Sequence, residues 1–65
     1  MNDTKRRSGF AGAGDLVVHA EVATRYLKDL CSASARGDKA AARAALRRAI
    51  SELEVARAML RTGGE

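Results

Sequence analysis

Between residues 38 and 60, Ala42, Leu46, Ala49, Leu53, Ala56 and Leu60 follow one another at spacings of 4, 3, 4, 3 and 4. A strand sends successive side chains to opposite faces, whereas this spacing stacks all six along one stripe of an α-helix. The stretch holds neither proline nor glycine. It is filled with alanine, arginine, leucine and glutamate, which lose little conformational freedom on entering a helix. The spacing predicts a helix over residues 38–61, ended by Thr62-Gly63-Gly64.

The same pattern recurs upstream. Leu16, Ala20, Ala23, Leu27, Leu30 and Ser34 repeat the 4-3-4-3-4 spacing, which predicts a first helix over residues 15–36 with Asp15 as its N-cap. Gly37 suits the left-handed residue that ends a helix, and Asp38 suits the cap that starts the next one. Arg36-Gly37-Asp38 is therefore read as turn chemistry, and its match to an adhesion tripeptide as coincidence. Two stripes joined by so short a turn predict an all-α fold, an antiparallel two-helix hairpin, with Leu27, Leu30, Leu46, Leu53 and Leu60 filling the layers between the helices. Residues 1–14 carry three glycines and no period, and are read as a flexible basic tail. The hairpin spans residues 15–62, and residues 63–65 are read as a disordered C-terminus.

Composition then raises a difficulty for a hairpin standing alone. Of 65 residues, 14 are alanine, while the larger aliphatic residues number six leucines, four valines and one isoleucine. Ordering each residue costs about 1.5 kcal/mol, and a chain this short buries only about 60% of its extended surface. Val18, Val22 and Tyr26 form a second apolar stripe beside the first helix's seam, and Val55 and Met59 do so on the second. Two apolar faces per helix are what a four-helix bundle needs, so self-association as a homodimer is expected. The same five residues are the candidate protein-docking surface.

Net charge is +4, and arginine outnumbers lysine nine to three. Arg36, Lys39, Arg43, Arg47 and Arg48 stand against Asp38 alone across one short run. Like charges at i,i+4 repel mildly, and cations near a helix N-terminus oppose its dipole. With Lys5, Arg6 and Arg7 of the tail, these residues are the candidate anion-binding set, suited to bidentate contact with carboxylate or phosphate. An acidic protein is the first expected partner, and RNA or DNA the alternative. No zinc-finger spacing, glycine-hinged helix-turn-helix or GXXG loop accompanies the basic run.

Chemistry is sparse. One histidine, His19, and one cysteine, Cys31, cannot assemble a metal cluster or a Cys-His catalytic pair. Cys31 flanks the predicted seam and is read as a small buried hydrophobe. No catalytic residue, metal or cofactor is expected. With no apolar run long enough to cross a bilayer, no membrane association is expected, and a cytoplasmic location fits. The sequence is therefore read as a small non-enzymatic binding or regulatory protein: an adaptor, an inhibitor or an accessory subunit of a larger assembly.

Overall fold

Gly37 and Asp38 fold the chain back on itself. Gly37 takes φ 76°, ψ 20°, a left-handed conformation that glycine adopts without the Cβ clash other residues meet. Its amide donates to the Ser34 carbonyl at 3.0 Å, and the Asp38 amide donates to the Ala33 carbonyl at 2.9 Å. These are the paired 5→2 and 6→1 bonds of a Schellman motif, which satisfy carbonyls the first helix leaves open. Asp38 then starts the next helix, its Oδ1 accepting from the Ala41 amide at 3.1 Å. The turn is as the sequence predicts.

The computed structural model describes residues 12–64, with side chains through Arg61. Two helices, α1 (Ala13–Arg36) and α2 (Lys39–Gly64), pack against each other as a hairpin. The thinnest principal extent is 11 Å, about the width of one helix. Among the described residues the hairpin is a single layer of two helices. Its radius of gyration is 14.9 Å, against about 11 Å for a compact chain of this length.

Both helices run past their predicted ends. α1 starts at Ala13, and Gly12, at φ 84°, occupies the cap position with no side-chain bond. Asp15 is thus inside the first turn, not capping it, where its carboxylate still faces the positive end of the dipole. α2 continues to Gly64 where an end near Arg61 is predicted. Glycine costs a helix about 1 kcal/mol relative to alanine, a weaker bar than the sequence pattern suggests. The basic residues Lys5, Arg6 and Arg7, and the rest of residues 1–11, lie outside the described residues, as does Glu65.

The larger correction concerns the seam. Only Ala23, Ala33, Ala45 and Ala49 are buried among the described residues. Leu27, Leu46, Leu53 and Leu60, expected to fill the layers, are 39%, 42%, 47% and 51% exposed. Each helix is rotated by one residue at alternate levels. α1 presents Leu16, His19, Ala23, Tyr26, Leu30 and Ala33, and α2 presents Ala42, Ala45, Ala49, Glu52, Ala56 and Met59, all buried or half-buried. The two candidate stripes share Leu16, Ala23 and Leu30 on α1, and Ala42, Ala49 and Ala56 on α2. They differ in the intervening positions, 19, 26 and 33 in place of 20, 27 and 34, and 45, 52 and 59 in place of 46, 53 and 60. Beside the turn, size explains the choice. A turn of two residues draws the helices together, and beside it only alanines such as Ala33, Ala42 and Ala45 leave room for close backbones. Leu46 at that level would force the helices apart, so it goes outside.

Candidate functional site

Rotating the seam by one residue creates two different broad faces. In an antiparallel pair, positions just clockwise of the seam on one helix lie on the same side as the equivalent positions on the other. Ala20, Leu27 and Ser34 of α1 therefore share a face with Lys39, Leu46, Leu53 and Leu60 of α2. A shallow depression lined by Ser34, Lys39 and Ala42 together with the turn marks that side. Ile50, 46% exposed, borders the leucines. Cys31 is exposed at the edge of this side. Its predicted burial fails because the seam passes through Leu30 and Ala33, leaving Cys31 off the contact.

The opposite face carries Val22, Asp29 and Arg36 of α1 with Ala41, Arg48 and Val55 of α2. Here Asp29, Arg36 and Arg48 line one shallow groove with four alanines and Ser32. Beside it, Val22, Tyr26, Arg25, Lys28 and Asp29 line another. Of the predicted docking residues, Val18 is 54% and Val55 43% exposed, and Val22 is half-buried at the groove edge. Tyr26 and Met59 are half-buried along the seam, where they contribute to holding the hairpin and offer only part of their surface outward. Val18, Val22 and Val55 are thus brought to one side, and that side is not the leucine side. The leucine face is the surface the sequence reading missed as a surface, because its residues were assigned to the seam.

The predicted anion-binding residues of the described region are all exposed: Arg36, Lys39, Arg43, Arg47 and Arg48. They do not form one patch. Arg36 and Arg48 border the valine side, Lys39 and Arg43 border the leucine side, and Arg47 points away from α1. Arg36 also reaches Asp38 Oδ2 at 3.7 Å across the turn. Both partners are about half-exposed, so water screens the pair and it adds little stability.

Across the seam, His19 Nδ1 stands 2.7 Å from Glu52 Oε1, with 34% and 25% of the side chains exposed. The histidine thereby has an acidic neighbour from the other helix, and the arrangement is a cross-link between helices. Thr24 returns its hydroxyl to the Ala20 carbonyl at 2.9 Å, within its own helix. Among the described residues no three histidine, cysteine or acidic side chains come together as a metal site, and no helix is long and apolar enough to cross a membrane. No family model, curated protein or solved structure matches this chain.

Proposed function

We propose that this chain is a small non-enzymatic binding protein, an adaptor, inhibitor or accessory subunit, that self-associates and docks on an acidic protein partner. One observation supports this above the rest. The hairpin buries four alanines and leaves every leucine, valine and isoleucine of residues 12–61 at least partly in contact with water. Apolar surface on this scale is characteristic of chains that complete themselves against another molecule.

The docking surface in this reading is the valine side. Val18 and Val55 supply exposed apolar area, Val22 borders them, and Arg25, Arg36 and Arg48 stand nearby to register carboxylates. Its small size and mixed charge suit a peptide-sized epitope. An assembly role, with no partner outside a larger complex of copies, is the second reading, favoured by the breadth of the leucine face. Nucleic acid remains the alternative counterpart of Lys39, Arg43 and Arg47, which line one flank of α2.

The test pairs capture with salt titration. Full-length chain and a Val18→Glu/Val55→Glu variant are used to recover proteins from native lysate. A partner held by the native chain and lost by the variant supports the reading. Recovery of nothing but the chain itself overturns the protein-partner reading. Binding to mixed RNA and DNA with a log–log salt slope of several units, abolished by Arg43→Glu/Arg47→Glu, replaces it with the nucleic-acid reading.

A further inference from the structure

We propose that the leucine face is covered by a second copy of this chain, in a two-fold arrangement that lays α1 of each protomer across α2 of the other. The inference rests on the self-association in the functional reading above, and it names the face and the packing order that carry it.

Exposed apolar surface comes first: Leu27, Leu46, Ile50, Leu53 and Leu60 are 39%, 42%, 46%, 47% and 51% exposed, and a layer laid on them takes that surface out of water. The leucine face is where the largest exposed side chains stand together. Leu46, Leu53 and Leu60 recur every seven residues along it, with Leu27 and Ile50 beside them.

Size then selects the order. Across the hairpin's own face, Leu53 is level with Ala20, Leu60 with Ala13 and Leu46 with Leu27, because the chain reverses at Gly37 and Asp38. A two-fold axis parallel to the helices preserves each level and exchanges the two sides. It seats Leu53 of one copy over Ala20 of the other and Leu60 over Ala13, large against small at two levels, with Leu46 over Leu27 at the third. Large against small is how two layers interdigitate without voids. The alternative axis, perpendicular to the helices, stacks α2 on α2, so the three-leucine rows meet each other and the α1 rows, with Leu27 as their one large residue, meet each other.

Charge selects the same order. The outer edge of the leucine face on α2 is basic, with Lys39, Arg43 and Arg57. The matching edge on α1 carries Val17, Thr24 and Cys31, with Glu21 and Lys28 behind them, so its charges cancel. Stacking α2 on α2 brings basic rows together, and like charges across an interface are costly. Crossing α1 over α2 separates them and sets the basic edge of α2 against the charge-balanced edge of α1.

Sedimentation equilibrium of the full chain through the micromolar range is the first measurement. A dimer is expected. Leu53→Arg, at the centre of the face, is expected to weaken association about 30-fold or more, while Val55→Arg, on the opposite side, leaves it within a few-fold. If Leu53→Arg also loses helix on dissociating, Ala20→Glu provides an independent substitution on the other helix of the same face, with the same expected loss. A native chain that is monomeric throughout overturns both this inference and the self-association it rests on. A dimer lost in Val55→Arg but kept in Leu53→Arg and Ala20→Glu overturns the face alone. The packing order is read with spin labels at R36C in a Cys31→Ser background. Turns at the same end give a separation of about 20 Å, and turns at opposite ends about 40 Å. The longer distance overturns the order proposed.

Discussion

His19 of α1 and Glu52 of α2 meet across the hairpin seam, Nδ1 to Oε1 at 2.7 Å. Neither residue belongs to the leucine stripes, and both reach the seam only because the helices are rotated onto their alanine stripes. The pair is diagnostic of that rotation. It also lies far from the turn, at the end of the hairpin where half-buried Leu16, Ala56 and Met59 line the seam. A double-mutant cycle with His19→Ala and Glu52→Ala is expected to give a coupling of about 0.5–1 kcal/mol. Solvent screens a pair about one-third exposed, which keeps the value in that range. Urea unfolding of the two single variants and the double variant measures it. Strict additivity would show that the helices do not meet in this register.

Much of the architecture is legible in the residues themselves. Gly37 and Asp38 announce the turn because only a few residue types satisfy a left-handed position followed at once by a side-chain cap, and both are met. The two helices follow from their period. The seam is harder to read, and the reason is geometric. Spacings of 4-3-4-3-4 and 3-4-3-4-3 share half their members, so Leu27 and Tyr26, or Leu46 and Ala45, compete for each intervening place. Hydrophobicity favours the leucine in both pairs; close approach beside the turn favours Ala45 over Leu46, and the rotation this sets carries the larger Tyr26 into the seam in place of Leu27. Local pattern carries the first effect and not the second. The site inherits the ambiguity: Val18 and Val55 are exposed and Val22 half-buried on one side, Tyr26 and Met59 are partly drawn inward, and the leucines go unrecognised as a surface.

The turn gives a prediction in which space and backbone separate. Nothing lies within 4 Å of a Cβ built at Gly37, yet its φ is 76°. Gly37→Ala is therefore expected to cost about 1 kcal/mol, all of it from the left-handed backbone and none from crowding. Gly37→Asn, whose side chain tolerates that region better, is expected to cost less. Asp38→Ala removes the bond to the Ala41 amide and is expected to cost about 1 kcal/mol as well. Thermal or urea unfolding of the three variants checks the order. An alanine as stable as glycine at position 37 contradicts the conformation described.

Ala49 is fully buried while Leu46, one turn earlier, is 42% exposed. Enlarging the first should therefore harm the hairpin more than its conservative appearance suggests. Ala49→Leu inserts three heavy atoms between backbones already in close contact and is expected to destabilise by about 1–3 kcal/mol. Ala49→Gly probes the same site from the other side, losing one buried methyl and adding backbone freedom, for about 1–2 kcal/mol. A seam through the leucines predicts the reverse for the first substitution, since there is room for bulk where leucines already hold the helices apart. Unfolding of Ala49→Leu at fixed concentration, with helical content followed by circular dichroism, separates the two arrangements.

Lys39 opens α2 in a first turn that contains no acidic residue, and Arg43 follows it four residues on. Both relationships are unfavourable: a cation sits at the positive end of the helix dipole, beside a like charge on the same flank. Lys39→Glu corrects both, placing an anion at the N-terminus and creating a Glu–Arg pair in the favourable order. The variant is expected to be more stable than the native chain by about 0.5–1 kcal/mol at low ionic strength, with the gain shrinking as salt is added. The same substitution reverses one of the basic side chains assigned to an anionic partner. Stability and partner affinity should thus move in opposite directions, the first upward and the second downward. Unfolding and binding measured on one preparation test the opposition directly. Improved stability with undiminished partner binding would release Lys39 from any role beyond solvation.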